Sequence, residues 1–162
     1  MESLSEPERR RVVHKLVREL VRAEDRACEH AERMYEQAPD APPTRALRAI
    51  AEHVDAMRGR LYYVSSGYGV SVARARIRST LSQLRNRVVE NLRDTMQAYK
   101  FVIDDLHEGL QLVQSLRAVS RTDGLLGIVR WCDDWLAARR TLLLRAEAQL
   151  LWFEERESLD DA

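Results

Sequence analysis

The sequence predicts an all-α fold, an antiparallel four-helix bundle with long helices, and three observations carry that reading. No proline follows Pro43. Beyond it almost every apolar residue recurs at a spacing of three or four, the period of a helix that buries one face. The length, 162 residues, fits the ~100 to 200 residues of a single domain and is enough to bury a sizeable core. The chain therefore reads as one helical bundle domain over 1–162.

The first helix is expected over about 6–37. Ser5 precedes Glu8 by the spacing of a capping box, in which the two residues satisfy exposed amide donors reciprocally, and Pro7 is tolerated in a first turn. Its apolar face runs from Val13 through Leu20, Ala27 and Cys28 to Met34, and it dies in the cluster Ala38, Pro39, Asp40, Ala41, Pro42 and Pro43. So dense a set of turn residues is the clearest break in the protein. A second helix, about 44–65, carries Leu47, Ile50, Ala51, Val54, Met57 and Leu61 on one stripe with His53 and Arg60 off it.

Helical periodicity resumes after Ser71 and continues through Ile77, Leu84, Leu92, Tyr99, Leu106 and Leu116, a third helix over about 71–118. Unbroken, it would be ~70 Å long, whereas helices of about 30 residues span only ~45 Å. Either it breaks near 80–87, with 62–87 serving in part as a connection, or it projects from the bundle. The fourth helix is expected over about 123–157, with Asp123 as cap and Ile128, Val129, Cys132, Trp135, Leu136, Leu143, Ala146 and Phe153 at core spacing. The acidic residues beyond Glu154 are expected to fray.

Composition excludes several functions. With 26 basic and 26 acidic side chains the formal net charge is zero, so no global field draws the molecule toward nucleic acid or anionic lipid. MESLSEPERR has no apolar core and carries acids, so neither a secretory signal nor a transit peptide is expected there, and the apolar runs fall far short of the ~20 residues that span a bilayer. A cytoplasmic protein is expected. Cys28 and Cys132 lie in no CxxC or Cys/His cluster and are expected to be buried thiols. They also test connectivity. Simple up-down wiring sets them at similar heights, whereas a crossover makes their helices parallel and separates them.

A bundle becomes a metal enzyme when each of two helices supplies an inward Glu and each of the other two a Glu-x-x-His. Glu24 sits on the core stripe of the first helix, where an apolar residue is expected. Glu52 and Asp55 flank the inward face of the second. Asp104 and His107, one turn apart on the third, lie beside its seam. The fourth helix instead places Arg139 at a seam position, and a guanidinium cannot ligate a cation. Glu24 and Arg139 each lie near mid-helix and are expected to pair across the core, because an unpaired buried charge costs several kcal/mol.

Glu24 facing inward, ALRAIAEHVDAMRGRL in the second helix and WCDDWLAARRTLLLRAEAQLLWF in the fourth together resemble a diverged member of the ferritin-like superfamily. That resemblance implies a four-helix bundle with a long crossover between the second and third helices, and often a di-iron centre. Only Glu24 matches a family ligand, and no Glu-x-x-His occurs in the chain. The expectation is a ferritin-like bundle without a complete metal site and without a cofactor, acting non-catalytically as a structural or protein-interaction module. The alternative is a di-metal carboxylate oxidoreductase or metal-storage protein that holds iron or manganese with Glu24, Glu52, Asp104 and His107.

Between Met57 and Val89 there are seven arginines and no acid, with Tyr62, Tyr63 and Tyr68 among them. Arginines interleaved with aromatics can engage phosphates and stack on unpaired bases. A nucleic-acid-binding reading rests on Arg74, Arg78 and Arg85, which border the apolar seam. The competing reading pairs the arginines with acids such as Glu29, Glu32 and Glu36. Finally, Trp131, Trp135, Leu151, Trp152 and Phe153 make the last helix broadly apolar, and it is expected to serve as the self-association surface of a homodimer.

Overall fold

The computed structural model describes residues 4–70 and 92–161. These residues form α1 (Glu6–Gln37), α2 (Pro42–Ser66), α3 (Leu92–Thr122), α4 (Leu126–Ala148) and α5 (Leu150–Asp160). Only Gln149, with helical φ −74° and ψ −7°, separates α4 from α5. There the hydrogen bonds tighten to three-residue spacing, Gln149 N–H to the Ala146 carbonyl and Trp152 N–H to the Gln149 carbonyl, each 3.1 Å. The two segments continue one another, and the described residues build an all-α bundle of four rods.

Several boundaries differ from expectation for identifiable reasons. At the first turn Glu8 accepts from both the backbone N–H and the hydroxyl of Ser5, at 2.7 Å each. These bonds hold the Glu8 carboxyl below its usual pKa. The second helix starts two residues early because Pro42 and Pro43 occupy its first turn, where a missing N–H costs nothing. Thr44 is buried, and its hydroxyl donates to the Ala38 carbonyl at 2.5 Å, tying the turn together. Asp123 does not cap α4. It pairs with Arg9 at 2.7 Å, and the capping position falls to Leu125. Nor does the helix end at 157, since helical geometry runs on to Asp160. The third helix reaches Thr122 rather than 118. Its expected start at 71 and the break near 80–87 lie outside the described residues.

The core divides into two clusters that fix the connectivity. One joins the late part of α1 (Ala27, Cys28, Met34), early α2 (Leu47, Ile50), early α3 (Met96, Tyr99, Ile103) and late α4 with α5 (Leu143, Ala146, Phe153). The other joins early α1 (Val13, Val17), late α2 (Met57, Leu61), late α3 (Val113, Leu116) and early α4 (Ile128, Trp131, Cys132). Thus α1 and α4 point one way, and α2 and α3 the other. Rod α1 packs on α2 and α3, rod α4 packs on the same two, and the parallel rods stand on the diagonals. Val70 belongs to the cluster at one end of the bundle and Met96 to the cluster at the other. Cys28 and Cys132 fall in opposite clusters, the outcome expected of a crossover rather than of simple up-down wiring.

Candidate functional site

Halfway along the bundle, where the two apolar clusters meet, the core is charged. Glu24 of α1 and Arg139 of α4 are 6 % and 2 % exposed. Arg139 donates through Nη1 to Glu24 Oε1 and through Nη2 to Oε2, both at 2.9 Å. This parallel, two-point contact is the strongest geometry open to a guanidinium and a carboxylate. The Trp135 indole N–H donates to Glu24 Oε2 at 3.1 Å, and the Arg139 guanidinium lies 4.4 Å over the Trp135 ring. One turn separates Trp135 from Arg139 on α4, so a single helical face supplies both donors to the carboxylate.

The third donor of Arg139, Nε, points to His53 Nδ1 on α2 at 3.1 Å. Because Nδ1 accepts, the neutral ring carries its proton on Nε2, a tautomer assigned from this bond. Burial, reinforced by the adjacent Arg139 charge, pushes the His53 pKa down to about 4. Nε2 is itself buried without a partner among the described residues. The arrangement thus holds one anion, one cation and one neutral base in a line from α1 through α4 to α2. Trp131 extends the polar layer, donating from its indole N–H to the Met57 carbonyl at 2.9 Å.

The remaining residues of the alternative metal set do not join Glu24. Glu52 and Asp104 are exposed, and exposed His107 pairs with Glu147 of α4. Both oxygens of Glu24 are already engaged by Arg139 and Trp135. Among the described residues no group of three or more His, Cys, Asp or Glu side chains is arranged to hold a metal ion. A void of about 10 Å³ touches the centre, lined by Val21, Glu24, Val54, Arg58, Leu61 and Trp131. At that size it would take a single water at most.

The basic stretch is only partly described. Arg58 pairs with Asp25, and Arg60 with Asp134 at 2.7 Å, so these two arginines serve intramolecular ion pairs with acids other than those expected. Arg74, Arg78 and Arg85 lie outside the described residues. Trp131, Trp135 and Phe153 are buried core residues, and half-buried Trp152 carries the Arg156 guanidinium 4.2 Å over its ring. The aromatic residues of the last helix therefore face inward, and the expected aromatic docking surface is not formed by them.

Two polar groups escape the sequence reading. His53 looks off-stripe, yet it stands three residues after Ile50 and four before Met57, the spacing of a seam position. His30, largely buried between α1 and α3, shares Asp105 with Arg26: His30 Nε2 lies 3.1 Å and Arg26 Nε 3.3 Å from Asp105 Oδ2. Burial lowers the His30 pKa, against the opposing pull of Asp105. Nothing in a single helix marks this contact, because it depends on which faces α1 and α3 present to each other. Compared with known proteins, the chain matches no family model, no curated protein and no solved structure.

Proposed function

We propose that this protein is a non-catalytic, ferritin-like helical bundle that works as a structural or protein-interaction module in the cytoplasm, with its last rod, α4 and α5, available for self-association. The observation that carries the reading is the ion pair at the bundle centre. A di-metal bundle needs several inward carboxylates and imidazoles converging on a cation. Here Glu24, the buried carboxylate among the described residues, has both oxygens engaged by a guanidinium and an indole, so the positive charge that balances it is covalently part of the chain. His53, the nearest imidazole, spends its acceptor nitrogen on the same guanidinium. A crossover between the second and third rods, with diagonal rods parallel, accords with the ferritin-like resemblance. No helix among the described residues is long and apolar enough to cross a membrane, which accords with a cytoplasmic setting.

The test is metal content. Full-length protein purified without chelator, in medium supplemented with iron and manganese, is expected to carry far less than one metal per chain by elemental analysis. Near-stoichiometric iron or manganese, lost on Glu24→Ala, would overturn the proposal in favour of a di-metal oxidoreductase or storage protein.

A further inference from the structure

The last rod keeps one face that nothing in the bundle covers, and its chemistry is self-complementary. Arg140, Leu144, Ala148, Leu151 and Glu155 follow one another at spacings of four, four, three and four, and all are exposed. Such spacing lines residues into a single stripe along a helix. Leu144 and Leu151 are 66 % and 60 % exposed, an unusual outlay of leucine surface at the centre of one stripe. Of the other large exposed apolar side chains, Leu4, Tyr35, Tyr63 and Phe101 lie off the last rod, and Leu126 and Leu159 lie near its two ends, so Leu144 and Leu151 are the pair at its middle. The stripe is basic before its leucines, with Arg140, and acidic after them, with Glu155. Neither of these two has an ion-pair partner among the described residues.

We infer that this face is an antiparallel, two-fold contact with a second copy of the same chain, centred between Glu147 and Ala148. In that register Leu144 of one copy lies on Leu151 of the other, and Arg140 of one meets Glu155 of the other, each contact occurring twice. A two-fold interface requires this reciprocity, because the same patch must serve both partners. A helix whose charge changes sign about its apolar midpoint meets the requirement only when the partner runs the opposite way. A parallel arrangement would set Arg140 against Arg140 and Glu155 against Glu155. The net charge of zero means two copies approach without overall repulsion. From Arg140 to Glu155 the contact spans roughly 22 Å of helix, which places it among the small interfaces and makes association reversible and concentration-dependent.

The inference rests on the proposed self-association through the last rod and adds its surface, direction and register. It is tested by sedimentation equilibrium of the full chain at low salt over a wide concentration range. The expected mass rises from 18.8 kDa toward twice that value. Leu144→Asp is expected to weaken association by about tenfold or more. Arg140→Glu alone and Glu155→Arg alone should each weaken it, and the double variant R140E/E155R should recover most of the loss, because the swapped charges again face opposite ones. All these positions are exposed, so circular dichroism should be unchanged, and the charge variants decide the matter even if Leu144→Asp misfolds. A dimer insensitive to these changes, or a double variant weaker than either single one, overturns the register while sparing self-association. A chain monomeric at every concentration leaves the face to a different protein and overturns both. Neither result touches the metal measurement, which judges the non-catalytic reading by itself.

Discussion

His53 couples the charged centre to pH. The unfolded chain takes up a proton on this side chain near its ordinary value of 6.5, while the folded protein resists until about 4. Between those values the unfolded state binds more protons, so stability is greatest above the upper value and falls as pH drops toward the lower one. The ring is only half-buried, and solvent tempers the effect to an order of 1 kcal/mol. His30, also lowered by burial, acts in the same direction. We expect urea unfolding at pH 7 and pH 5 to show the wild type losing more stability on acidification than His53→Asn, whose side-chain oxygen can still accept from Arg139 Nε. Equal losses in the two proteins would contradict this role. Glu24 and Arg139 are legible in the sequence because each breaks an apolar pattern where breaking it is costly. His53 is not, because an imidazole at the edge of a stripe is equally compatible with solvent and with a buried guanidinium.

The start of α4 shows how an element can be stabilised by a residue far away in sequence. A helix N-terminus leaves four amide donors without intrahelical partners. Leu125, at the capping position, has no side chain able to accept from them. The Tyr68 hydroxyl, carried on the turn that ends α2, accepts instead from the Gly127 N–H at 3.2 Å. Gly127 suits the role, since an added Cβ would meet that same hydroxyl at 3.3 Å. Gly124, at φ +71°, makes the turn that brings the chain there. Tyr68→Phe removes the acceptor and is expected to destabilise the protein by about 1 kcal/mol, the typical value of a lost cap. Thermal unfolding would reveal it, and an unchanged midpoint would show that water replaces the hydroxyl at no cost. Helix existence and order are legible from periodicity and prolines alone. The identity of this cap is not, because Asp123 offers equally good capping chemistry, whereas in the fold it stands two residues before the capping position, its N–H donating to the Val119 carbonyl at the end of α3 and its carboxylate pairing with Arg9.

The four rods form two hairpins, α1 with α2 and α3 with α4, and the central ion pair joins one hairpin to the other. Glu24 belongs to the first and Arg139 to the second, on diagonal rods. Replacing Arg139 with Leu leaves a buried carboxylate unpaired and is expected to cost about 3 to 5 kcal/mol. Replacing both Glu24 and Arg139 with Leu removes the uncompensated charge and should cost less than Arg139→Leu alone. Chemical denaturation of the single and double variants measures the difference, and a double variant as unstable as the single one would contradict it. Connectivity is open in the sequence, since hydrophobic spacing is the same in a simple bundle and in one with a crossover. It becomes readable only once the late residues of α1 are found beside the late residues of α4.

That diagonal bridge also bears on how the molecule discriminates among its own alternatives. Greasy seams built from leucine, valine and alanine tolerate sliding, because one turn of displacement exchanges one aliphatic contact for another. A salt link does not. If either hairpin docked one turn out of place, by ~5.4 Å, the carboxylate and the guanidinium would each be stranded in hydrocarbon, and every such misfit would be penalised far more than the lost packing. The bundle thus carries an internal vernier, a polar mark on each half that permits assembly at a single vertical setting.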